Sequence, residues 1–150
     1  MTLNDYYELV EGCIKSLGVD PTACRGKNQG SWILHKGSAK VYIDVWHIER
    51  ENRPYFQVMS PVSPIPTANK EAFYKELLLL NSQMYGVGFV LFNDWAWIKL
   101  IRECDGLDSK EALATMHRVG NYSDRYDDQL KEKFFNGPGG GPPGGGTAPK

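Results

Sequence analysis

Cysteine is scarce in this chain, and its scarcity excludes two common ways of holding a small protein together. The three cysteines, Cys13, Cys24 and Cys104, are odd in number, and no two form a C-x-x-C pair. Neither a disulfide framework nor a structural zinc site is expected from that spacing, and reduced thiols suit a cytoplasmic protein. Long apolar runs are missing too: nothing approaches the roughly 20 residues that span a bilayer. The opening MTLNDYYELVEG carries acids at Asp5 and Glu8 and lacks the basic and apolar regions of a secretory leader. No membrane association is expected, and the expected compartment is the cytoplasm. A basic excess is also absent: 17 Lys and Arg stand against 18 Asp and Glu. DNA and anionic surfaces are therefore not default partners.

Catalytic signatures are equally thin. There is no G-x-S-x-G, and Gly26–Ser31 (GKNQGS) lacks the Lys-Ser/Thr ending of a phosphate loop. His47-Ile48-Glu49 echoes the H-x-E half of zinc deaminases, but the P-C-x-x-C half is missing, so a surface histidine beside a solvated acid is the better reading. His35 and His117 have no ligand-spaced companions. A Cys–His pair stays open on sequence alone, although nothing local marks an activated thiol. Asp124, Asp127 and Asp128 read as a solvated helix face. Tyr85–Phe92 tracks an RNA-recognition signature, yet Tyr85 replaces its phosphate-pairing base and Val87 removes a stacking aromatic. The residues thus predict no catalytic group, no cofactor, no metal and no nucleic-acid partner.

What the sequence does hold is periodicity. At 150 residues it is one domain by length, with a core of useful size. Tyr6, Leu9, Val10, Cys13, Ile14 and Leu17 recur at helical spacing, and Gly18 and Pro21 stop that helix. Asp20 to Gly30 reads as a loop. Strands follow at Ser31–Lys36, Ser38–Ile48 and Tyr55–Val62, the first two joined by a turn at Lys36-Gly37. Prolines at 61, 64 and 66 deny backbone donors, so that segment is expected to leave the sheet. Asn69–Tyr85 is the next helix, with Thr67 or Asn69 as its cap. Val87–Phe92 and Trp95–Arg102 form a hairpin turned by Asn93-Asp94. A last helix opens at Asp108 with Glu111 in capping-box spacing and runs past Phe134, with a bend or break expected at Gly120-Asn121. The order is αβββαββα: an α+β fold whose antiparallel five-stranded sheet packs with three helices. Residues 1–136 form the domain, and 137–150, Gly or Pro at eleven of fourteen positions, read as a disordered tail.

Two features exceed what a solitary domain needs. The Asn69–Tyr85 helix uses Phe73, Leu77, Leu80 and Met84 as its core stripe, while Leu78 and Leu79 turn apolar surface elsewhere, as a dimer face would. The hairpin is apolar on both faces, so helices or a partner must cover both sides. Tyr42 and Trp46 share a partly polar strand face, and with Trp95 and Trp97 they are the candidate partner-binding aromatics.

Over roughly residues 5–136 the chain resembles the YbjN-type domain, whose members resemble the type III secretion chaperone fold. Pro54-Tyr55 leading through Ser60-Pro61-Val62 into the Leu77–Leu80 helix carries the likeness, then Asp94-Trp95 with Trp97, then Val119, Asp124, Tyr126, Asp127, Asp128 and Leu130. Ser123 departs from it where a small apolar residue is expected, as does Phe134-Phe135-Asn136-Gly137 in place of a Phe-Gly-Gly ending. The resemblance implies a cytoplasmic α+β homodimer without enzymatic activity that binds a protein client segment. A regulatory domain in a sensory or stress response, taking a small ligand between the Asn69–Tyr85 helix and the sheet, is the alternative.

Overall fold

The computed structural model describes residues 1–135. Its first helix, α1 (Leu3–Ser16), starts two residues earlier than the apolar spacing implies. Thr2 and Asp5 form a reciprocal capping box there, and that box sets the start. A one-turn helix, α2 (Pro21–Cys24), replaces part of the expected loop. Proline is welcome in a first turn, where its missing N–H costs nothing, and the Asp20 side chain accepts from the Thr22 N–H.

The sheet has five antiparallel strands in spatial order β1-β2-β3-β5-β4: β1 (Ser31–Lys36), β2 (Ala39–Ile48), β3 (Arg53–Pro64), β4 (Gly88–Phe92) and β5 (Trp95–Glu103). Strands β1 and β4 are its edges. The first turn falls at Gly37-Ser38, one residue later than read from sequence, because Lys36 pairs with Ala39 and Gly37 takes φ 58°. The β4–β5 turn is Asn93-Asp94 as expected, with φ of 49° and 60°, the doubly left-handed turn that matches strand twist.

Strand β3 corrects one expectation. The prolines do not end the ladder: Pro61 pairs with Trp97 and Pro64 with Trp95, across a register shift between Pro61 and Ser63. A bulge adds a residue to one strand and so re-phases the ladder around positions without an N–H. Ser123, buried on the facing helix, fills the same place. Its hydroxyl lies 2.7 Å from that of Ser60 and 3.4 Å from the Pro61 carbonyl. The small polar residue is thus satisfied where an apolar one was expected.

Helix α3 (Lys70–Asn81) connects β3 to β4 and ends a turn earlier than expected. Asn69 precedes it in the left-handed region and makes no side-chain capping bond. Phe73, Leu77, Leu80 and Met84 are all buried, as the stripe implied. Helix α4 (Ser109–Phe134) runs unbroken through Gly120-Asn121, again a correction. Gly120 is buried against β1, where a Cβ would meet the Lys36 side chain at 2.9 Å, so it serves close packing rather than a bend. Asp127 and Lys131 form the expected i,i+4 ion pair at 3.2 Å.

Alternation along the strands assigns two faces. One carries Val41, Ile43, Val45, Phe56, Val58, Ala96 and Ile98 and packs with α1, α3 and α4 in a single core. The other carries a smaller cluster of Tyr42, Met59 and Trp97, with Ile33, Val90 and Trp95 packed on it. Among the described residues every helix longer than one turn lies against the first face.

Candidate functional site

A groove of about 740 Å³ runs beside the edge strand β1. Its walls come from the α1–α2 connection (Leu17, Val19), from α2 (Ala23, Cys24), from α4 (Met116, His117) and from β1–β2. Leu34, Val41 and Lys36 reach it from the helix-covered face, while Ile33, His35 and Lys40 reach it from the opposite face. Residues from both faces of a sheet line one groove only where that groove runs along the strand edge. An added strand would lie there.

The edge is open over part of its length. Arg25 bridges Trp32, and the Gly26 N–H donates to the Ser31 carbonyl at 2.7 Å. Beyond that bridge, no described strand lies beside Leu34–Lys36. Glu11 fixes the closed end: its carboxylate accepts from Arg25 Nε at 2.7 Å, Arg25 Nη2 at 3.0 Å and Trp32 Nε1 at 3.0 Å. The Arg25 hydrogen bond is the main reason the Glu11 carboxyl titrates below its ordinary 4.5, against the opposing effect of burial, with Trp32 adding to it. At the open end Lys36 Nζ sits 2.9 Å from His117 Nδ1, and Lys40 Nζ lies 5.5 Å from the Tyr42 ring centre.

The residues picked out from sequence fall elsewhere. Tyr42 and Trp97 meet on the second face at 5.5 Å between ring centres, both 3% exposed. Trp95 and Trp46 are half-buried on that face. Leu78 and Leu79 are 70% and 52% exposed on α3; Tyr85 before β4 and Leu91 on β4 are exposed as well. Trp46 lies opposite Tyr55 and Trp95 opposite Pro64, so the four aromatics are spread along the second face, and the two leucines lie on α3. Neither set belongs to the β1 groove, which sequence reading missed because edge position is a property of strand order. The one local signal was Leu17 and Val19, apolar residues flanking the helix-ending Gly18 with nothing nearby to bury them.

Chemistry is not assembled here. His47 and Glu49 are exposed at the end of β2, whereas Asp44 is buried with Ser31 Oγ at 2.5 Å. Burial raises all three thiols, Cys104 to about 11, the reverse of nucleophile activation. Among the described residues no three His, Cys, Asp or Glu side chains gather as a metal set, and no helix is long and apolar enough to cross a membrane. Phe89 of the RNA-like stretch faces the core, 5.9 Å from Tyr126.

The fold is similar to that of chains in several solved complexes. One chain of the HopA1-SchA chaperone-effector complex matches with TM-score 0.60 and 12% identity, covering 82% of this chain and 93% of that one. A chain of the ExsC-ExsE complex matches with TM-score 0.65 and 10% identity over 85% and 94%. A chain of the heterodimeric ExoU-SpcU complex from the type III secretion system of Pseudomonas aeruginosa gives 0.58 and 14% over 82% and 98%. No curated protein matches the sequence. Residues 4–138 match the family TY-Chap1, described as T3SS (YopN, CesT) and YbjN peptide-binding chaperone 1. The chain belongs to that family of peptide-binding chaperones, a non-enzymatic kind of protein, as its resemblance to the YbjN-type domain implied.

Proposed function

We propose that this chain is a cytoplasmic, non-enzymatic chaperone that holds an extended segment of a client protein along β1. The observation that carries this reading is the groove lined from both sheet faces at an edge strand with free length. Main-chain pairing with an edge supplies affinity with little demand on sequence, and the pocket beside it supplies selectivity. Family membership supports a peptide as the ligand.

In this proposal the chaperone is a homodimer joined through α3, where Leu78 and Leu79 stand exposed. A stable dimer buries about 800 Å² per partner. Of Tyr42, Trp46, Trp95 and Trp97, the half-buried Trp46 and Trp95 are the ones a partner reaches, at opposite ends of the second face. At the helix–sheet junction considered for a small ligand, Phe73, Leu77, Leu80 and Met84 are buried, which favours the peptide reading.

Native mass spectrometry of protein purified from its own host tests this. The expected species is a dimer of 16.9 kDa chains carrying a polypeptide. A bare monomer, or a chain carrying a metabolite, would argue against it.

A further inference from the structure

We infer that the β1 groove selects client segments in which a run of apolar residues is followed by acidic ones, the acids falling toward the β1–β2 turn. This rests on the proposal that a segment adds to β1 and specifies what that segment is made of.

A strand laid beside β1 presents alternate side chains to opposite sheet faces. On the helix-covered side it meets Leu17, Ala23, Leu34 and Met116, which suit aliphatic side chains. Toward the turn it meets Lys36, Lys40, His35 and His117. Among the described residues no Asp or Glu lines the groove.

Charge along the groove is uneven. At the α2 end Arg25 is neutralised by Glu11 at 2.7 Å, and Asp20 at the head of α2 bonds Thr22. At the turn end the ionised Asp124 carboxylate of α4 accepts from the Ser38 hydroxyl at 2.7 Å and forms no ion pair with Lys36 or Lys40. Lys36 contacts a histidine and Lys40 an aromatic ring, so neither lysine has a carboxylate partner among the described residues. Both are half-buried, where water screens them less than on an open surface. An incoming carboxylate supplies the missing counter-charge.

The test is selection from a random twelve-residue peptide library displayed on phage, panned on the full chain and on a Lys36→Gln/Lys40→Gln variant. With the wild-type chain, Asp and Glu are expected to rise about twofold or more over the starting library, next to apolar residues. With the double variant that enrichment is expected to vanish. A selected acidic peptide should bind the wild-type chain about fivefold more tightly than the variant, and 0.5 M NaCl should close the gap. Lys40→Gln alone, which leaves the Lys36–Gly120 packing intact, guards against misfolding and should give part of the loss. Recovery of peptides with no acidic enrichment overturns this inference and leaves the chaperone reading standing. Recovery of no peptide at all overturns both.

Discussion

Gly120 of α4 and Lys36 of β1 pack so closely that a Cβ on the glycine would lie 2.9 Å from the lysine Cδ. That contact brings α4 down onto the edge strand and holds Lys36 beside His117 at the mouth of the groove. Alanine at 120 gains up to about 1 kcal/mol of helix propensity and displaces only a flexible methylene. Gly120→Ala is therefore expected to change stability by less than about 1 kcal/mol while weakening binding of an acidic peptide. Gly120→Leu should cost about 1–3 kcal/mol by overpacking. Urea denaturation of the two variants checks the difference.

The neighbouring leucines of α3 should behave in opposite ways. Leu77 is 5% exposed, so Leu77→Ala should cost about 2–5 kcal/mol in chemical denaturation. Leu78 and Leu79 are exposed, so Leu78→Asp and Leu79→Asp should leave the folded protomer intact and split the dimer in light scattering. Dimers that survive both substitutions would place the interface elsewhere.

Much of this fold was legible because its signals are local. The core stripe Phe73–Leu77–Leu80–Met84 follows from helical spacing, and the Asn93-Asp94 turn from the tolerance of those residues for positive φ. Non-local facts escaped. Gly120 looks like a helix breaker until β1 is seen against it, and Pro61 looks like a strand end until the bulge opposite Trp97 is seen. The groove escaped for the same reason: nothing in Ser31–Lys36 says that β1 is an edge. The Gly/Pro-rich stretch 137–150 expected to be disordered lies outside the described residues.

Ser60 and Ser123 give a second energetic test. Their hydroxyls lie 2.7 Å apart and both residues are fully buried. Ser123→Ala strands the Ser60 hydroxyl and should cost about 1–3 kcal/mol, whereas removing both hydroxyls should cost less than the two single changes summed. A double-mutant cycle by urea denaturation measures the coupling, and additive costs would show that the pair is not bonded.

Acid should loosen the closed end of the groove. The Glu11 carboxyl is held below 4.5 chiefly by Arg25. A carboxyl depressed in the folded state contributes stability that is present above its unfolded value and lost as pH falls through the lower, folded one. Wild-type stability should therefore fall below about pH 4.5, and Glu11→Gln should flatten that fall. The same variant should be weaker at pH 7 by about 1 kcal/mol, since the pair is partly exposed. Thermal melts across pH 3 to 7 give both slopes, and parallel slopes would remove Glu11 from the acid response.

Site-specific photo-cross-linking in the native host addresses the client site and the dimer face together. A benzophenone amino acid in place of His35 stands on the open length of β1, and one in place of Leu78 stands on α3. Client capture should occur from position 35, giving adducts of one chain with a different polypeptide, while position 78 should yield a species of two 16.9 kDa chains. If position 35 captures nothing and client adducts arise from position 78 instead, the β1 edge is not where this chaperone holds its client.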